Sequence, residues 1–301
     1  MLVEGREISV SRAGKVLFDA DGVTKGDVVR YYRKVAAAML PHLRGRPVTL
    51  RRFPDGIDAE GFFQKDASEH FPEWIDYVEV PLREGGTQTA VVGSGAATVV
   101  YLADQATIEF HVWPATVGAL GRPDRMVIDI DPPPGVSLGE LRSVTRRTRQ
   151  LLNDLGVEPF VQATGGKGFH VVVPLDASAG DDTVRELARA VAETLAADDP
   201  ERLTTAHRKE RRGGRIFLDT NRNTYGQTFI TPYSLRSRPG APVAVPLDWD
   251  ELGRARPNGW DISSVPKRLA RKQDPWARIH RFAASATSAR QRLAELTGVA
   301  E

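Results

Sequence analysis

Met126-Val127-Ile128-Asp129-Ile130-Asp131-Pro132-Pro133-Pro134-Gly135 is the stretch on which the reading of this chain turns. Apolar residues alternate with Asp129 and Asp131 at i and i+2, so on a strand both acids share one face while Ile128 and Ile130 share the other. The prolines end the strand and leave the acids where a sheet opens to solvent and ligand. Two carboxylates this close repel each other unless a hard cation such as Mg²⁺ or Mn²⁺ lies between them. The same residues also suit an edge strand running into an Asp-Pro turn, so a metal site needs support from elsewhere in the chain.

Working outward, Ile216-Phe217-Leu218-Asp219 reads as a second apolar strand ended by an acid. Asp219 is the best candidate for a third ligand, the alternative being a turn-forming Asp before Thr220. The loop Thr164-Gly165-Gly166-Lys167-Gly168-Phe169-His170 has what a phosphate chain needs. Its glycines let backbone N–H groups approach closely, Lys167 adds a point charge and His170 a directed donor. It is not a Walker A loop, because glycine rather than Ser or Thr follows the lysine. Arg236 and Arg238 are candidates to reach the same polyphosphate or are plain surface arginines. His111, on an alternating run over residues 108–113, falls on the face opposite Phe110, where it can meet a ligand.

The remaining elements frame these residues. Strand character over residues 6–18 puts Lys15 in or beside a turn, and a capping box of Thr24 and Asp27 predicts a helix that ends before Pro41. Lys15 and Lys25 both lie at its entrance, as solvated surface or as a phosphate site. A strand over residues 48–53 carries Arg51 and Arg52. Phe62 and Phe63, next to Lys65, point oppositely on an extended segment, so both can pack in the core or one can be left to stack on a base. Residues 76–83 and 88–93 form a hairpin through Glu84-Gly85-Gly86, and a helix is expected over 99–106. A second capping box, Ser137 and Glu140, opens a helix to about Leu155 with a basic outer face of Arg142, Arg146, Arg147 and Arg149. A strand over 158–162, a helix over 181–197, a dense basic patch over 207–215, and a helix from Ser288 to Leu296, capped by Ser288 with Gln291, complete the outline.

Of the 301 residues, 41% are hydrophobic and 27% charged, as in a soluble globular protein with a sizeable core. There is no cysteine, which excludes disulfides, thiolate catalysis and thiolate metal sites. The net charge of +2 is too small to demonstrate a nucleic-acid partner, so clustering must carry that argument. The N-terminus lacks the pattern of a signal peptide and no run approaches the roughly 20 apolar residues of a membrane span, so a cytoplasmic setting without membrane contact is expected. Three strand-end acids, a Gly-Lys-Gly-x-His loop and a downstream arginine amount to metals plus triphosphate. Basic clusters and exposed aromatics add a surface for a nucleic-acid backbone, and together they point to nucleotidyl transfer onto nucleic acid.

The pattern resembles a known family: the polymerase domain of the bacterial non-homologous end-joining ligase, within the archaeo-eukaryotic primase superfamily. The likeness runs through residues 21–27, 42–47, 61–65, 129–132, 164–170, 232–236 and 274–277 in the same order. It implies an α+β fold, a primase-like catalytic core of mixed and antiparallel sheets flanked by helices. The expected organisation is one domain over 1–301, with an N-terminal α/β module over about 1–110 packed on a catalytic module over about 111–301. It further implies a primer-extending polymerase that adds nucleotides at DNA ends or gaps, prefers ribonucleotides, and uses two ions, Mn²⁺ before Mg²⁺.

In family terms Asp129, Asp131 and Asp219 match the catalytic metal ligands, and His111, Thr164, Lys167, His170 and Arg236 the group around the incoming nucleoside triphosphate. Lys15 and Lys25 match a pocket for a 5′-phosphate, and Phe62 and Phe63 aromatics near the template base, with Arg51, Arg52 and Lys65 on the same DNA side. A Ku-type end-binding protein and a DNA ligase are the partners implied, with bacterial nucleoid association during repair. Residues 278–301 are too few for another catalytic domain, so the chain is expected to be an excised domain or a free-standing relative. Other readings are a primer-independent primase, a catalytically silent DNA-end-binding scaffold, and a nuclease using the same acids.

Overall fold

A computed structural model describes residues 1–298. Its α+β architecture rests on two six-stranded sheets joined by one continuous hydrophobic core. The first sheet runs, in spatial order, Phe229–Ile230, Thr107–Val112, Pro47–Arg52, Thr87–Val92 and Tyr77–Pro81, with Phe62–Gln64 also paired to Pro47–Arg52; all its pairings are antiparallel. The second runs Leu203–Thr204, Ile216–Asp219, Arg125–Asp131, Phe169–Pro174, Phe160–Ala163 and Val245–Leu247, antiparallel except for its first, parallel pair. The Arg125–Asp131 strand is thus interior, and Met126, Val127, Ile128 and Ile130 are fully buried.

Among the described residues six α-helices flank the sheets. Helix α1 (Lys25–Leu43) opens on the reciprocal Thr24–Asp27 capping box and buries Val28, Val29, Tyr32, Val35 and Met39 on one face, packing on α2 (Ala96–Asp104). It runs through Pro41 rather than stopping before it, because a proline in the last turn removes one N–H while Arg44 N still reaches Leu40 O at 2.8 Å. Helix α3 (Leu138–Asp154) starts at the Ser137–Glu140 capping box. Three of the four arginines expected on its outer face are engaged, Arg142 donating to Ala255 O, Arg147 pairing with Asp199 and Arg149 lying over Trp249, while Arg146 is exposed. Helices α4 (Asp181–Asp198) and α5 (Ser264–Leu269) follow. In α6 (Ala286–Thr297) the cap is Ser285, whose side chain accepts from Ser288 N, so the helix begins one turn earlier than the Ser288 cap predicts. Among the described residues no helix is long and apolar enough to cross a membrane.

Candidate active site

Register builds the site. Asp129 stands directly opposite Asp219 on one neighbouring strand and His170 on the other, so the three side chains leave one face of the sheet in a row. Asp131, two residues on, shares that face. These residues line a cavity of about 300 Å³ together with His111, Thr164, Lys167 and Arg236, so every residue expected at the metals and the nucleotide is gathered in one place. Arg238 lines it too, as do Arg212 and Arg222, which the sequence reading did not single out.

The glycine loop closes tightly over the end of the acidic strand. Thr164 Oγ1 donates to Gly168 O at 2.8 Å and accepts from Gly166 N at 3.2 Å. A Cβ at Gly168 would stand 2.0 Å from the carbonyl oxygen of Ile130, so only glycine lets the loop pass here, and Gly165 adopts φ +67°. Lys167 is left exposed at the rim. Arg236 donates to Thr164 O at 3.0 Å, tying the later segment to this loop.

Charge within the cavity is finely divided. Asp129 is faced by His170 at 3.5 Å and Arg222 at 3.9 Å. Burial alone would raise its carboxyl, but His170, Arg222 and Arg236 hold it below the usual range. Asp131 goes the other way: burial and then the Asp129 charge push it up, against the pull of Arg212 and Lys167. Arg212 lies 3.6 Å from Asp131 and stacks over Phe217 at 3.8 Å.

Among the described residues no three acidic or imidazole groups stand close enough to form a ligand shell as the side chains lie. The donor set nevertheless fits a hard divalent cation: three carboxylates on one face, with that of Asp131 pushed up by burial and then by the charge of Asp129, which a cation between them would relieve. Converging on a cation requires the carboxylates to turn from Arg212 and Arg222.

The DNA-side candidates fall outside the cavity lining. Phe62 and Phe63 are both exposed, at 46% and 55%, so neither joins the core; the short Phe62–Gln64 strand pairs on one side only. Arg52 lies over Phe62 and Arg51 over Phe63, and Phe63 meets His111 edge-on at 5.7 Å, which carries this surface to the cavity mouth. Arg52 is braced by Gln105 O and Gln64 Oε1. Lys65 is exposed beside them. Lys15 reaches the surface, paired with Asp55 at 2.7 Å. Lys25 does not join it: its side chain is 7% exposed, and its ammonium is spent on Asp104 Oδ1, Asp104 O and Ser11 Oγ. With all three N–H groups engaged, Lys25 presents no donor to a phosphate in this arrangement.

Sequence reasoning also missed Glu109, which is 1% exposed and bonded to His111 and Ser237. The signal was available: Glu109 and His111 repeat, at i and i+2, the spacing of Asp129 and Asp131.

Comparison with known proteins accords with this geometry. The family model described as LigD, primase-polymerase domain, matches residues 24–276. The chain belongs to the LigD primase-polymerase family. It is 36% identical over 282 residues to the multifunctional non-homologous end joining protein LigD of Mycobacterium bovis, covering 91% of this chain and 37% of that protein. To LigD of Pseudomonas aeruginosa it is 35% identical over 273 residues, 90% of this chain and 32% of the relative. The chain thus spans well under half the length of these LigD relatives. Among solved structures, the polymerase domain from Mycobacterium tuberculosis ligase D in complex with DNA matches with a TM-score of 0.85 at 34% identity, over 92% of this chain and 99% of that one. The α+β primase-like fold expected from sequence is therefore the LigD polymerase-domain fold.

Proposed function

We propose that this chain is a nucleotidyltransferase that adds nucleotides, ribonucleotides in preference, to a primer 3′-hydroxyl at DNA ends or gaps during double-strand break or gap repair. The observation that carries the reading is the single row of Asp219, Asp129 and His170 beside Asp131, roofed by the Thr164–His170 loop and Arg236. Asp129, Asp131 and Asp219 are the residues that would hold two divalent cations, Mn²⁺ before Mg²⁺. Such cations would neutralise negative charge on the attacking oxygen, the α-phosphate oxygens and the leaving pyrophosphate.

The protein's own groups do the rest. Lys167 and Arg236 bind the triphosphate, while the N–H groups of Gly165 and Gly166 are spent on Pro257 O and Thr164 Oγ1 and hold the loop's shape. Thr164 and His170 line the nucleotide pocket and His111 forms one wall. Phe62 and Phe63, on their arginine supports, stack on the template base, while Arg51, Arg52 and Lys65 meet the backbone. Lys15 is the surface cation for a downstream 5′-phosphate. A Ku-type end-binding protein and a DNA ligase complete the pathway in the bacterial cytoplasm, at the nucleoid.

The test is extension of a 5′-phosphorylated, single-nucleotide-gapped DNA with Mn²⁺ and either ribo- or deoxynucleoside triphosphates, beside Asp129→Ala. Addition that favours ribonucleotides and disappears in the variant is the expected result. Binding of gapped DNA without addition under any divalent metal would instead make the chain a silent end-binding module.

A further inference from the structure

Under one wall of the cavity lies a carboxylate with an uneven set of partners. Glu109 Oε1 accepts from Ser237 N at 2.9 Å, Ser237 Oγ at 2.7 Å and Arg51 Nη1 at 3.4 Å, with Arg236 Nε a further 3.4 Å contact. Its Oε2 has a single partner, His111 Nε2 at 2.9 Å. An ionised carboxylate only accepts, so the proton of the imidazole belongs on Nε2. Burial and the nearby Arg236 and Arg222 keep the ring neutral against the opposing pull of Glu109, and these are the charged groups that face it. Glu109 itself is held ionised, because His111, Arg236 and Ser237 outweigh its burial. Nδ1 of His111 therefore carries a lone pair. Among the described residues no hydrogen bond engages Nδ1, and His111 lines the cavity, so that lone pair is available to a ligand.

We propose that Glu109 is the positioning residue that locks His111 in its Nε2-protonated form, making this wall of the cavity a hydrogen-bond acceptor for a sugar hydroxyl of the bound nucleotide. The role rests on the nucleotide-binding reading above. An acceptor at this point takes a hydroxyl donor and repels a phosphate oxygen, so the sugar lies here and the triphosphate lies toward Lys167 and Arg236. The same carboxylate steadies Arg236 and Arg51, so one buried group orders the nucleotide side and the support of Phe63 together.

The variant Glu109→Gln tests this sharply. The amide oxygen belongs where the several donors converge, at the Oε1 position, which leaves the NH₂ facing His111 Nε2. Nε2 must then accept, the proton moves to Nδ1, and the wall changes from acceptor to donor. Nitrogen NMR of the wild-type protein, with His111 assigned by substitution, should show the Nε2-protonated ring, and Glu109→Gln the Nδ1-protonated one. Calorimetry should show the ratio of ATP to inorganic tripolyphosphate affinity fall in the variant: an Nδ1–H on the wall attracts phosphate oxygens, whereas the sugar hydroxyl, able to donate or accept, loses at most about tenfold, one hydrogen bond's worth. An Nδ1-protonated ring in the wild type overturns the proposal whether or not the variant folds. Unchanged tautomer and ATP affinity in Glu109→Gln, or equal losses for ATP and tripolyphosphate, also overturn it. A wild type that shows the expected tautomer but binds neither ligand removes the nucleotide reading, and the wall's role falls with it.

Discussion

Replacing Lys25 with Met separates a structural cation from a phosphate-binding one. Lys25 and Asp104 are 2.8 Å apart, with side chains 7% and 6% exposed, and the pair ties the start of α1 to the end of α2. Removing one member of a buried pair strands the other, at about 3–5 kcal/mol. Asp104 would keep Ser11 N at 2.9 Å, Ser11 Oγ at 3.3 Å and Gln105 Nε2 at 3.3 Å, which puts the cost at the lower end, about 3 kcal/mol. A chain of this length has an unfolding entropy near 0.6 kcal/mol per kelvin, so Tm should fall by about 5 °C. Replacing both partners, Lys25→Met with Asp104→Leu, should restore most of it, since no charge is then left unpaired. Thermal unfolding reads both, provided the transition is cooperative. Below that transition, Lys25→Met should discriminate 5′-phosphorylated from unphosphorylated gaps as the wild type does, whereas Lys15→Ala should lose the discrimination and leave Tm nearly unchanged. A Tm shift under about 1 °C for Lys25→Met, with loss of phosphate discrimination, would refute the reasoning and return Lys25 to the phosphate site.

Two further outcomes follow from the charge distribution. Mn²⁺ at a hundred times its dissociation constant should stabilise the wild type by about 2.7 kcal/mol, near 4 °C in Tm, while the Asp129→Ala, Asp131→Ala double variant should gain nothing; an equal gain would remove the metal assignment. Glu251 is partly buried, which by itself raises its carboxyl, but Arg268 at 2.6 Å and Lys272 at 2.8 Å pull it down to about 2. A depressed folded value contributes stability above the unfolded value near 4.5 and loses it as pH falls toward 2. Urea unfolding should show that slope, and Glu251→Gln should flatten it; an undiminished slope in the variant would assign the acid sensitivity to other groups.

What the chain disclosed before folding was local. The alternation of residues 126–131 and both reciprocal capping boxes needed only neighbours a few residues away, and they reappear in place. Asp219 was legible as a candidate ligand because it ends a short apolar run, with a turn-forming role as the alternative. Its position across from Asp129 was not, since register is decided by pairing between strands far apart in sequence. Lys25 read as solvated surface or a phosphate site because nothing near it announces Asp104, 79 residues away. Phe62 and Phe63 were indistinguishable from core residues until the sheet left their strand at its margin. Ser285 and Ser288 are both able to cap, and only the extended backbone at Ser285 decides between them.

The row formed by Asp219, Asp129 and His170 is set by backbone pairing in the middle of a sheet, and the long connections between those strands run through α3, α4 and their loops. Insertions and deletions in α3, α4 and the loops away from Thr164–His170 can accumulate without moving that row. Evolution is thereby free to remodel the outer shell of the protein for new neighbours while the chemistry keeps its coordinates.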